Sequence, residues 1–165
     1  MFKLKPLSKS GIPAALERVE RYRLLNEPRL AESICLDILE VEPDNHDAIV
    51  MLLLAITDQF SLESAADEKG ARDLLPRLKD EYERSYYAGI ICERQGKAAI
   101  SKQLPGSKNI AYEWLRDAME HFEKAESIRP SGNDDAILRW NTCVRLLERF
   151  KLEPTQEEVH HPFLE

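Results

Sequence analysis

The stretch Arg116-Asp-Ala-Met-Glu-His-Phe-Glu-Lys-Ala-Glu-Ser-Ile-Arg-Pro130 decides the fold of this chain. Ala118, Phe122 and Ala125 recur at helical spacing, which places them on one face of an α-helix. Pro130 lacks a backbone N–H and cannot continue that helix. The stretch therefore predicts an amphipathic helix that ends before a proline.

The same pattern recurs near the start of the chain. Ala31, Cys35, Ile38 and Pro43 repeat the spacing of the first set residue for residue. Two occurrences in register resemble the second helix of the tetratricopeptide repeat (TPR) family. In that family a small residue lets two helices approach, an aromatic side chain fills the gap above it, and a proline ends the unit.

The resemblance to TPR proteins extends to a first helix of a repeat. Ala88-Gly89 followed by Cys92 is similar to the core of such a helix, and Arg94-Gln95-Gly96 resembles the glycine turn after it. The resemblance implies an all-α, right-handed solenoid of about three helical hairpins plus a C-terminal capping helix. It also implies a concave groove, lined by the first helices, that binds a peptide or a helix of another protein.

The rest of the chain is organised around these helices. We expect an N-terminal tail at 1–11, a TPR-like domain at 12–150 and a C-terminal tail at 151–165. Asp44 or Asn45 can cap a helix, and Leu104-Pro105-Gly106-Ser107 indicates a turn. That turn lies in an insertion at about 97–110, which helical extensions at 97–103 and 109–114 can flank. The other predicted helices are 12–25, 28–41, 46–59, 61–75, 79–95 and 133–150.

Composition narrows the class of protein and of partner. A hydrophobic content of 43% with six glycines favours an all-α globular chain. The net charge of −7 would repel a phosphate backbone, so we expect no nucleic acid partner. The basic start has no following apolar run of signal-peptide length, and no apolar stretch reaches membrane-spanning length, so a cytoplasmic protein is expected. Cys35, Cys92 and Cys143 lie in apolar patterns and are interpreted as buried hydrophobic residues.

Helical phase selects candidate residues for the groove that the resemblance implies. They mix aliphatic and aromatic side chains with both signs of charge, which suits a polypeptide partner. The alternative is that half of them pack against the tail or a neighbouring helix. The candidates are Leu16, Glu20, Arg23, Asp47, Val50, Leu54, Asp58, Glu83, Tyr86, Ile90, Arg94, Leu138, Thr142 and Arg145.

The predicted insertion is basic in an otherwise acidic chain. It contains Lys97, Lys102 and Lys108, and no acidic residue lies between Glu93 and Glu113. This basic loop is a candidate docking patch for an acidic partner or for the chain's own acidic surface. The alternative is a solvated loop.

Aromatic and apolar residues around the insertion and in the tail leave further alternatives open. Tyr82, Tyr86, Tyr87 and Tyr112, with Trp114, either pack in the core or form a contact site for a partner. Val159, Phe163 and Leu164 make the tail apolar at its end, so it either folds back on the last helix or docks on another molecule. Thr155 and Glu158 form a capping-box pattern that predicts a short helix ending near His160.

No set of residues indicates catalysis, a cofactor or a metal. His160-His161 has no further ligand at a convincing spacing, and the chain has neither a phosphate-binding glycine loop nor a recognisable catalytic motif. The sequence therefore predicts a non-catalytic adaptor with a protein or peptide partner. The alternatives are a small chaperone for a secreted or assembling subunit, and a structural homo-oligomer that uses residues 152–165.

Overall fold

The computed structural model describes residues 1–62 and 67–156. All regular secondary structure in these residues is helical, and the all-α class predicted from the sequence is confirmed for them. The short 3₁₀ helices are Lys9–Gly11 and Leu75–Arg77. The α-helices are α1 (Ile12–Leu24), α2 (Pro28–Val41), α3 (His46–Asp58), α4 (Glu68–Leu74), α5 (Glu81–Lys102), α6 (Ser107–Ser127) and α7 (Asp135–Phe150).

Capping residues fix several helix starts. The Asn45 side-chain oxygen accepts a hydrogen bond from the Ala48 backbone N–H at 2.9 Å, which confirms one of the two caps expected for α3. Asp80 caps α5 in the same way through the Tyr82 N–H, also at 2.9 Å. Pro28 is the first residue of α2, where its missing N–H removes no helical hydrogen bond.

The region around Gly96 differs from the sequence prediction. Gly96 does not form a turn, because α5 continues through it to Lys102 and α6 begins at Ser107. The predicted insertion is therefore mostly helix, as its expected helical extensions allow, and only residues 103–106 connect the two helices. Gln103 and Gly106 make the connection with φ angles of 50° and 80°.

Two predicted helices fall partly outside the described residues. The helix expected at 61–75 is represented by α4, which begins at Glu68, while residues 63–66 are not described. The short helix expected near 155–160 also lies mostly outside the described part. The expected tails are not wholly free, since Leu7 packs against the core and Leu152 is buried.

The core has two clusters that meet at α3 and α5. The first joins α1 to α4 with Ile91 and Ala98 of α5, and the second joins α5, α6 and α7. Leu54 and Tyr87 pack against both clusters. The apolar residues of both repeated patterns are fully buried, as their spacing predicts.

The helices contact one another in a regular order. Each α-helix packs on the next one along the chain. In addition, α1 contacts α3, α3 contacts α5, and α5 contacts α7. The four odd-numbered helices therefore follow one another in space.

The α5–α6 hairpin depends on two glycines. A Cβ atom at Gly89 would lie 2.5 Å from Cε1 of Phe122, and one at Gly96 would lie 2.9 Å from Cδ2 of Leu115. Both glycines therefore allow side chains of α6 to pack directly on the backbone of α5. This close approach explains why Gly96 lies inside a helix.

Replacing Gly89 by alanine tests this packing. Alanine favours helix by about 1 kcal/mol over glycine, but overpacking of a filled core costs about 1 to 3 kcal/mol. We expect Gly89→Ala to lower the free energy of unfolding, measured by urea denaturation. In a Phe122→Leu background the same change should cost less, because the ring that it meets is gone. A Gly89→Ala variant more stable than the wild type would contradict the account.

Candidate functional site

A cleft of about 320 Å³ opens on the face where α1, α3 and α5 meet. We call it the central cleft. Charged side chains from all three helices line it, together with a few apolar and small polar groups. The principal lining residues are Glu20, Arg23 and Leu24 of α1, Met51, Thr57 and Asp58 of α3, and Arg94 and Lys97 of α5.

One carboxylate in the central cleft joins three helices. Arg23 Nε donates to Asp58 Oδ2 at 2.8 Å, and Arg23 Nη2 donates to Asp58 Oδ1 at 3.4 Å. Arg94 Nη1 donates to the same Oδ1 atom. The side chains of Arg23, Asp58 and Arg94 are only 19%, 19% and 21% exposed, so water and salt screen these ion pairs less than pairs on an open surface.

A second charged cluster joins α5 to α7. The Glu93 side chain is 0% exposed, and its Oε2 atom accepts a hydrogen bond from Arg139 Nη1 at 3.1 Å and lies 3.4 Å from Lys97 Nζ. Its Oε1 atom is buried and has no hydrogen-bond partner in the protein. Burial lowers the pKa of Arg139, but Glu93 and the Tyr86 hydroxyl more than offset this, so the net shift is upward and Arg139 stays charged.

A pair formed by His46 and Glu83 connects α3 and α5 at their first turns. His46 Nε2 lies 2.7 Å from Glu83 Oε2, and this hydrogen bond is the main reason that the pKa of His46 is raised above 6.5. Protonated His46 therefore favours the folded state below pH 6.5, and this contribution is lost as the pH rises through the raised pKa. On α6 the pKa of His121 is lowered, first by burial and then by the charge of Arg72.

The three cysteines are free and buried, which confirms their interpretation as core residues. Burial raises the pKa of the Cys35 and Cys143 thiols to about 12. Burial also raises the pKa of Cys92, against the opposing effect of Arg72. The thiols are therefore protonated at neutral pH and are poor nucleophiles.

The structure brings part of the predicted groove set together. Glu20, Arg23, Asp58 and Arg94 all line the central cleft. Among the others, Leu16, Leu54 and Tyr86 are partly buried against the core. Glu83 pairs with His46, and the Thr142 hydroxyl donates to the Leu138 carbonyl at 3.0 Å. Outside the cleft, the exposed members are Asp47, Leu138 and Arg145.

Five predicted placements need correction. Val50 and Ile90 are only 9% and 1% exposed, so they belong to the core rather than to a groove surface. Helices α3 and α5 each pack against neighbours on more than one side. A prediction from the helical positions of residues within one hairpin does not include these further neighbours. Lys97 and Lys102 are not in a loop, because both belong to α5, and Lys108 belongs to α6.

The aromatic residues near the α5–α6 hairpin pack mainly on one another and on the core. The rings of Tyr82 and Tyr86 stack with centroids 5.9 Å apart, and Tyr86 and Phe122 have the same centroid separation. Tyr112 and Trp114 are partly buried against the second core cluster. Their contribution to a partner site is therefore limited to the parts of the rings that remain exposed.

Glu93 and Arg139 form a partly buried ion pair, and neither is among the site residues predicted from the sequence. Glu93 does carry a signal, because it directly follows the apolar and small residues 88–92 and lies one helical turn before Lys97. Arg139 has no such local signal. Its pairing with Glu93 depends on how α7 packs against α5.

Comparisons with protein-family models, with curated proteins and with solved structures find no match. Within the described part of the chain, no group of three or more His, Cys, Asp or Glu residues could hold a metal ion. The described helices also include none with the length and apolar character needed to cross a membrane.

The Asp58 cluster can be tested by double-mutant cycles. We expect Arg23→Ala with Asp58→Ala, and separately Arg94→Ala with Asp58→Ala, to give coupling energies of about 0.5 to 1 kcal/mol in urea unfolding. The physical reason is the partial burial of all three side chains.

A matched control comes from an exposed pair. Lys69 Nζ lies 2.6 Å from Asp73 Oδ2, but the two side chains are 85% and 62% exposed. We therefore expect their coupling energy to be near zero in about 0.5 M salt. If the Asp58 pairs couple no more strongly than Lys69 with Asp73, the cluster does not stabilise the contact of the three helices.

Proposed function

We propose that this chain is a non-catalytic interaction module, an adaptor, that binds a peptide or a helix of another protein. The binding surface is the face shared by α1, α3, α5 and α7. In this proposal the hairpins α1–α2, α3–α4 and α5–α6 form a TPR-like right-handed solenoid, and α7 caps it. The observation that supports it most directly is the central cleft, where side chains from three odd-numbered helices meet.

The order of helix contacts supports the solenoid part of the proposal. In a stack of helical hairpins the first helix of each hairpin packs against the first helix of the next. The contacts of α1 with α3, of α3 with α5 and of α5 with α7 follow that order. The same order gives one continuous surface on which a guest segment can contact several helices.

The chemistry of the surface favours a polypeptide. Arg23, Arg94 and Lys97 provide hydrogen-bond donors in the central cleft, and Asp58 occupies only some of the donors of the two guanidinium groups. Glu20 adds an exposed carboxylate at the rim. The exposed apolar side chain of Leu24 lines the cleft beside these charges, and Leu138 of α7 is exposed as well. A polypeptide offers backbone donors and acceptors as well as side chains of both kinds, which matches this mixture.

Surface variants test the adaptor function. The wild-type chain is used to isolate a partner by affinity purification and mass spectrometry, and the affinity of the purified partner is then measured by calorimetry. We expect Glu20→Arg and Leu138→Asp each to weaken binding about tenfold or more, because both residues are exposed on the proposed surface.

Matched controls lie on the even-numbered helices. Leu36 of α2 is exposed, as is Glu113 of α6, so Leu36→Asp and Glu113→Arg repeat the two kinds of change away from the proposed surface. These two variants should bind as the wild type does. A partner that binds all four variants equally well, or that is lost only with the two controls, would contradict the proposal.

A further inference from the structure

A second cleft lies at the tip of the α5–α6 hairpin and has a volume of about 550 Å³. We call it the hairpin cleft. It shares no lining residue with the central cleft. Its apolar lining comes from α5, from the connection to α6 and from the end of α7. The main lining residues are Ile100, Leu104, Lys108, Asn109, Phe150 and Leu152.

The rim of the hairpin cleft is positively charged. Lys108 lines it, and the exposed Lys102 directly precedes the lining residue Gln103. The first turn of α6 contains no acidic residue, and its N-cap, Gly106, has no side chain to accept a hydrogen bond from that turn. The partial positive charge of a helix N-terminus therefore adds to that of the lysines. The cleft suits a segment that is both apolar and acidic.

The chain itself passes along this cleft after α7. Leu152 is buried and lines the cleft, and Asn109 Nδ2 donates to the Glu153 carbonyl oxygen at 3.3 Å. The described part of the chain ends at Gln156, which an extended backbone places at most about 11 Å from Glu153. The described chain therefore ends close to the rim.

Residues 157–165, Glu-Glu-Val-His-His-Pro-Phe-Leu-Glu, have the matching chemistry. We propose that this segment binds in the hairpin cleft of its own molecule. Val159, Phe163 and Leu164 supply the apolar contacts, and Glu157 and Glu158 face the lysines of the rim. Phe163 lies ten residues along the chain from Glu153, a reach of up to about 34 Å, so the segment can turn back over the cleft.

Attachment to the same chain strengthens this contact. A short linker holds the segment at an effective concentration of the order of millimolar, so that individually weak contacts are sufficient for occupancy. An acidic, apolar segment of a partner would have to displace it. The inference does not depend on the proposed function, because it concerns a separate cleft.

Disulfide trapping in the full chain tests the proposal. Leu104→Cys is combined with Leu164→Cys, and the protein is equilibrated with glutathione buffers under native conditions. The control combines Leu138→Cys with Leu164→Cys, since Leu104 and Leu138 are both 62% exposed but only Leu104 lines the hairpin cleft. The native thiols are buried and exchange slowly, and replacing an exposed leucine should leave the fold intact.

We expect the Leu104 pair to form an intramolecular disulfide with an effective concentration about tenfold or more above that of the Leu138 pair. Lys102→Glu with Lys108→Glu should reduce this value severalfold, because the acidic residues of the segment would then be repelled. Equal effective concentrations for the two pairs would overturn the proposal. Disulfide-linked dimers in place of the intramolecular product would also overturn it, in favour of the cleft of a second copy. If the two charge reversals leave the effective concentration unchanged, the charge complementarity on which the assignment of this segment depends would be refuted.

Discussion

The contact of Phe122 with the bare backbone of Gly89 constrains the whole second half of the protein. With Gly96 under Leu115, it lets α5 and α6 pack closely along most of their length. Successive residues of α5 point about 100° apart, so Glu93 lies one helical turn from both glycines on nearly the same side of α5, whereas Arg94 points well away from α6. Glu93 reaches Arg139 on α7, and Arg94 reaches Asp58 on α3. One helix thus supplies consecutive residues to two contacts, and its position decides both.

The charged clusters give the proposed binding face a defined geometry more than they add stability. Moving Asp58 or Glu93 out of water costs free energy, which their partners recover only when the hydrogen bonds are well placed. Glu93 keeps one oxygen without a protein partner, so its cluster is not fully satisfied. Few orientations of α3, α5 and α7 nevertheless allow these hydrogen bonds. The charged clusters therefore favour one arrangement of the three helices. A face ordered in this way requires less rearrangement when a partner binds, which leaves more of the contact energy for affinity.

The sequence predicts the parts of this structure that depend on local pattern. The bounds of α2, the Asn45 cap and the burial of Ala118, Phe122 and Ala125 follow from periodicity and capping chemistry. Gly96 was misleading because a glycine ends some helices and allows close packing within others, and only the neighbouring helix decides which. Val50 and Ile90 were misplaced because α3 and α5 have neighbours on several sides. The helical positions of Arg23, Asp58 and Arg94 predict that they lie on the groove side. The pairing of Glu93 with Arg139, in contrast, follows only from the tertiary structure. The TPR resemblance itself stays a prediction.

In the proposed solenoid, α1, α3, α5 and α7 follow one another along an open face rather than closing into a bundle. Pulsed electron paramagnetic resonance distances between spin labels test it most directly. Ala14 on α1 is labelled together with Asp47 on α3, Glu81 on α5 or Asp135 on α7, four exposed positions near helix N-termini. Because packed helices lie about 8 to 10 Å apart, the account predicts distances from Ala14 that increase in the order α3, α5, α7. An α1 to α7 distance as short as that from α1 to α3 would mean a closed bundle and would contradict the account.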